Sequence, residues 1–366
     1  MDITNMKTNT RLLQTAVAVE AVSPERHESL AQGKRSVKDT RDQRDFRLDF
    51  VKGFLVVIMV AYHVMDYFVV ESALLYRYLH FVSGAFIFTT GYVVAGFYID
   101  KYAQDKRRTC TRLVTRGLKL IGMFTVANLM INYLQLHNFN STQFSFSLFV
   151  HNLIPIFIYG SGRLASFEVL PPIGYLLMVA PLLLMAYRRY RRYELALISA
   201  AIVLCWVFHV RVTGPSLVIL GLAGFMFGTF VGVRAAPVWS EVLNVVLLVV
   251  YLMILPYISQ NFVTYVCNII LILKCVYDLS RRINLQGSVN HVVVLFGQYS
   301  LVCYFAQIVF LQFIFRFLIH HRWPVGYQML LLILVTCIAL FFGCRALEWL
   351  RAKSRVVDSA YKFVFA

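Results

Sequence analysis

From residue 52 to residue 350 the chain is a succession of apolar stretches, each about 20 residues long, joined by short polar links. Inside a bilayer the backbone has no water to bond with, so each such stretch must pair its own N–H and C=O groups as a helix. Composition agrees: 59% of residues are apolar and 14% charged, against roughly 45–50% and about 25% in soluble domains. A soluble domain, a disordered chain, a coiled coil and a small disulfide scaffold are all excluded. The fold expected is all-α, a polytopic transmembrane helical bundle.

About ten spans are expected, at roughly 52–70, 79–99, 117–136, 168–187, 194–212, 215–233, 239–257, 261–279, 291–318 and 327–350. The shorter apolar segment 144–160, with His151, Asn152 and Pro155, reads as a re-entrant or interfacial piece. Residues 44–350 then form the membrane domain, between a disordered tail over 1–43 and a second tail over 351–366. The first tail lacks the apolar core of a signal peptide. The charge-dense run RDQRDFRLD, from Arg41 to Asp49, is expected to be an interfacial lead-in.

The formal net charge of +17 would suggest nucleic acid in a soluble protein. Here it marks topology. Residues 1–51 hold nine basic and eight acidic side chains, so the excess lies in and between the apolar stretches. Lys101, Lys106, Arg107, Arg108, Arg112 and Arg116 crowd one link, the run RRYRR fills 188–192, and Arg234, Arg281 and Arg282 follow later stretches. The alternate links carry little beyond Arg163 and Arg322. The positive-inside rule then places both termini in the cytoplasm, with membrane lipid as the surrounding partner and no role for nucleic acid. The seven cysteines show no CxxC or Cys/His pattern and read as small apolar fillers, and no metal site is expected.

Ionisable groups inside spans are costly and usually functional. Lys52 opens the first stretch, and His63 stands eleven residues later, about 16 Å deeper along a helix. Asp66 follows three residues on. A His with a carboxylate one turn away suits an oriented general base, although an inter-helix hydrogen bond is the plainer use. Ser83, Gly84, Thr89 and Thr90 in the second stretch suit close helix packing or a polar wall facing His63. Arg108, Arg112 and Arg116 form a helical stripe, either an ordinary membrane flank or a clamp for phosphates. Gln307 is the deepest amide of the ninth stretch, and Lys274 and Asp278 are spaced to neutralise each other.

The run RDFRLDFVKGFLVVIMVAYH resembles the opening of acyltransferase type 3 membrane enzymes, whose first span carries a basic residue, ten others, then His. FVSGAFIFTTGYVV resembles that family's second span. EVLPPIGYLLMVAPLLL and FGQYSLVCYFAQIVFL are similar to the OpgC-type branch. The resemblance covers about 44–350. It implies an EC 2.3.1-like acyltransferase in the bacterial inner membrane, moving a succinyl or acetyl group from cytoplasmic acyl-CoA to hydroxyls of a periplasmic glucan. Succinyl-CoA or acetyl-CoA would be the donor substrate and a carbohydrate the acceptor, beside proteins of glucan synthesis and export. The motif makes His63 the base, with Asp66 beside it. Lys52, Ser83 and the stripe of Arg108, Arg112 and Arg116 would serve the donor. The stripe is spaced by four where the family's third-span arginines are spaced by three, and Gln307 stands where related sequences often have His.

An exporter of a glycan or an acylated metabolite explains the spans and the midplane charges equally well. It has no need of Lys52 and His63 at that spacing, and no inverted repeat is visible. A membrane scaffold or sensor accounts for the tail but not for His63 and Asp66.

Overall fold

The computed structural model describes residues 45–68, 78–133, 146–159, 166–208, 215–231, 241–257, 261–284, 287–318 and 327–365. The tail over 1–43 and the link residues Arg163, Arg234 and Arg322 lie outside them. Among the described residues the fold is entirely helical. In chain order the helices are α1 (Phe46–Phe68), α2 (Phe81–Gln104), α3 (Lys106–Tyr133), α4 (Phe146–His151), α5 (Leu170–Val207) and α6 (Pro215–Val231). There follow α7 (Glu241–Ile254), α8 (Phe262–Arg282), α9 (Ser288–Gln298), α10 (Ser300–Leu318), α11 (Tyr327–Lys353) and α12 (Arg355–Phe365).

Among the described residues, six helices are long and apolar enough to cross a membrane: α1, α2, α3 as far as Met130, α5, α8 and α11. A seventh arises if α9 and α10, bent by 93°, count as one broken span. The expected stretches at 168–187 and 194–212 are two helical halves of α5 that meet at a kink at Tyr190 (φ −139°, ψ 40°), inside the expected link. RRYRR is therefore a tight kink between two helices, with helical residues on both sides of Tyr190. The expected ninth span is broken at Tyr299. The end of the expected interfacial lead-in, from Phe46 to Asp49, is the first turn of α1, with Asp49 buried, and its residues 41–44 lie outside the described ones. Within the 144–160 segment the described residues, 146–159, hold α4 and a π-turn over Pro155–Tyr159, from which Ile156 enters the core and Phe157 packs edge-on against Phe124.

α1 is central. Leu55 and Met59 belong to one core cluster with α2, α3, α5, α6, α8 and α10. Val56, Val60 and Val64, one position round, belong to a second cluster with α9, α10 and α11. Apolar burial drives helix association weakly in lipid, so close packing must supply it. Two glycines do so here. A Cβ at Gly53 would lie 1.7 Å from the Val293 carbonyl oxygen, and one at Gly297 would lie 1.7 Å from that of Asp49. α1 and α9 thus touch backbone to backbone. Large apolar side chains on α7 and α11, such as Val242 and Leu330, point outward, as lipid-facing positions do.

Some of the costly polar groups inside the body are paired, and others, Glu194 and Gln307 among them, carry buried atoms with no hydrogen-bond partner. Lys274 and Asp278 form an ion pair within α8, as their spacing suggested. All seven cysteines are free thiols, and Cys303 and Cys344 meet at 3.4 Å between α10 and α11.

Candidate functional site

Eleven residues are three helical turns plus about 20°, so Lys52 and His63 share a face of α1. They meet different surroundings. Lys52 lines a cavity of ≈ 320 Å³ at the basic end of the bundle, together with Arg116 and Lys119 of α3. Apolar walls come from Val93, Leu120, Met123, Ile173 and Leu177. Lys52 Nζ lies 3.7 Å from Asp49 Oδ1, and Arg116 donates to the Tyr98 hydroxyl at 2.6 Å. Tyr98 reaches that position from a π-turn over Val94–Tyr98, one extra residue that shifts the face of α2 midway. Such bulges are common at functional sites. Thr90 spends its hydroxyl on the Phe86 carbonyl, whereas the buried hydroxyl of Thr89, also in the wall, has no partner.

His63 is not part of that wall. Both of its ring nitrogens are buried and without a hydrogen-bond partner. Tyr304 connects the two regions: it lines the cavity, and its ring centroid is 6.4 Å from that of His63. Gln307, one turn along α10 from Tyr304, is fully buried with both amide atoms unpartnered. Partnerless buried polar atoms are expensive and rare.

Asp66 does not orient His63. Three residues turn about 300°, which leaves Asp66 some 60° off the His63 direction, and it emerges on the exposed side of the helix. Tyr67, four residues on, takes the buried side. Asp66 instead faces Glu168, just before α5. Burial first, and then the Asp66 charge, push the Glu168 carboxyl up to about 8.

The bend that carries Glu168 is locked. Asn128 donates to the Ser166 carbonyl at 3.0 Å and accepts from its N–H at 2.8 Å, and Gln312 donates to the Ser166 hydroxyl at 3.0 Å. Phe167 holds φ of 66°, a left-handed conformation that strains a residue with a Cβ. Its ring lies 4.7 Å from that of Phe305 and 5.8 Å from that of Tyr304.

Of the expected donor residues, the cavity therefore gathers Lys52 and Arg116. Arg108 and Arg112 are exposed and outside its wall, because steps of four drift about 40° each and carry the stripe off one face. Ser83 lies six residues before Thr89, half-buried, and is not in the wall either. The residues missed in sequence are Lys119, Tyr304 and Phe365, while Thr89, expected in helix packing or in a wall facing His63, lines the cavity instead. Only Lys119 had a readable signal, its place one turn beyond Arg116. No protein family matches this chain, and neither curated proteins nor solved structures yield a match.

Proposed function

We propose that this protein is a membrane O-acyltransferase that moves a short acyl group, succinyl or acetyl, from a CoA thioester to a carbohydrate hydroxyl. The observation that carries the reading is the arrangement on α1. Lys52 belongs to a cationic cavity, and His63, on the same face three turns deeper, is half-buried with both ring nitrogens buried and unspent. A base is useful only where its nitrogen is not already committed to the protein.

In this reading the donor's phosphates lie against Lys52, Arg116 and Lys119, and its thioester arm follows the apolar wall toward Tyr304. His63 takes the proton of the acceptor hydroxyl. The oxygen attacks the thioester carbonyl, the new ester bond forms, the C–S bond breaks, and the CoA thiolate leaves to recover a proton. The Gln307 amide and Thr89 hydroxyl are donors available to the developing oxyanion. Ten crossings follow if each half of the bent α5 spans, α6 and α7 span, and α9 with α10 make one crossing. The basic end then faces the cytoplasm of a bacterial inner membrane, both termini lie there, and a periplasmic glucan meets the other end.

The test is acyl transfer from labelled CoA donor to glucan by the purified protein in vesicles. The reading expects an ester-linked acyl mass on the glucan, lost in His63→Ala. An exporter would move glucan across the vesicle membrane with no mass added.

A further inference from the structure

We propose that α12 is a lid on the basic cavity, so that its tip and a cavity ligand compete for one space. The helix follows a break at Ser354, whose hydroxyl caps it by accepting from the Val357 N–H at 3.4 Å. None of its residues is fully buried, and its hold on the core is the partly buried Tyr361 against the second cluster. Yet Val364 and Phe365 at its tip line the same cavity as Lys52, Arg116, Ser300 and Tyr304. Phe363 lies beneath the Lys119 ammonium, 5.2 Å from nitrogen to ring centre. Two of the three cavity cations are therefore on elements that α12 adjoins or faces, and its apolar tip occupies what an acyl arm would use.

The closed position is held by a polar latch. Arg351 at the end of α11 donates to Asp358 from Nε and Nη2 at 3.0 and 2.9 Å, and Lys362 reaches the other Asp358 oxygen at 2.6 Å. Arg351 also donates to the Tyr299 hydroxyl at 2.9 Å and covers the Tyr361 ring at 3.9 Å, and Tyr361 stacks on Phe365 at 5.3 Å. Tyr299 is the residue at the bend between α9 and α10. The latch thus joins the lid to the broken helix pair that carries Ser300 and Tyr304. Partly exposed ion pairs are individually weak, which suits a contact that must open.

The donor reading matters here only for the identity of the competitor; the lid is tested without it. The full chain in vesicles carries Ser300→Cys as reporter, and labelling by N-ethylmaleimide is measured peptide by peptide. Thr111→Cys, at an exposed position on α3, is the reference. Adding Asp358→Asn should raise labelling at position 300 roughly three- to tenfold, as loss of weak ion pairs allows, with no change at position 111. Phe365→Ala should raise it likewise. Equal labelling with the latch intact or broken overturns the lid. So does a rise shared by the buried thiols of Cys303 and Cys344, since that would make α12 a structural part of the fold. Coenzyme A, added in excess to the Asp358→Asn protein, should slow labelling again. If the latch variants open the cavity and coenzyme A gives no protection, the lid stands and the donor reading falls.

Discussion

His63 and Tyr67 lie ring to ring on the buried side of α1, their centroids 5.5 Å apart, and Asp66 between them in sequence faces the other way. The pairing that matters on this helix is the i to i+4 contact. The His63 ring is set in place by aromatic neighbours, Tyr62, Tyr67 and Tyr304.

His63→Ala and Asp66→Asn should therefore differ. Removing a general base costs about 10²- to 10⁴-fold in rate, and acyl transfer by His63→Ala should fall by that order. Asp66→Asn, altering an exposed group off that face, should stay within about threefold. The check is kcat for both variants under donor saturation. A collapse of Asp66→Asn to the level of His63→Ala would restore the pair.

Donor binding should follow the cavity and not the sequence stripe. Lys52→Ala and Lys119→Ala each lose a charged group able to pair with phosphate, a contact worth about 1.5–3 kcal/mol. Donor KM should rise roughly ten- to hundredfold for each, with acceptor KM little changed. Arg108→Ala and Arg112→Ala should leave both near the parent value. Equal effects of Lys52→Ala on donor and acceptor would remove it from the donor side.

The α1–α9 contact sets a stability prediction. Gly53→Ala would put a methyl 1.7 Å from a backbone oxygen, and the helices can only part. Overpacking of this kind costs about 1–3 kcal/mol, more where backbone must move. The thermal midpoint in detergent should drop clearly for Gly53→Ala. Gly343→Ala, where nothing lies within 4 Å, should leave it unchanged.

The latch has a definite pH response. Lys362, and with it Arg351, hold the Asp358 carboxyl below the usual carboxylate range, with the Tyr299 and Tyr361 rings packed about Arg351. A depressed carboxylate contributes its stability above its unfolded value, near 3.9, and loses it as pH falls through the folded value. Labelling of the Ser300→Cys reporter should be flat in its latch dependence from about pH 5 to 8, and the ratio between Asp358→Asn and parent should shrink only below about pH 4. A ratio that closes near neutrality would mean another group holds the lid.

Part of the cavity was legible because helical periodicity is a local property. The spacing from Lys52 to His63 fixes a shared face whatever the neighbours do, and the pairing of Lys274 with Asp278 follows from one turn of helix. Which members of a basic stripe enter a cavity is not local. Arg116 turns inward because a π-turn brings Tyr98 to it, while Arg108 and Arg112, on the same helix, stay outside. Tyr304 reads as one more aromatic in an apolar run. Its role comes from standing between α1 and the cavity, with Phe167 held against it by Asn128 and Gln312, partners far away in sequence.

Hydropathy and charge by themselves determined that this chain is a helical membrane protein and where its costly polar groups lie, since solvent transfer and helix geometry act residue by residue. Tertiary structure alone decided that His63 is left without a hydrogen-bond partner, that Asp66 faces Glu168 instead of His63, and that the last helix folds back over the cavity. Those outcomes depend on which helices meet. That is set by close backbone approaches such as Gly53 against Val293, which no single stretch of sequence contains.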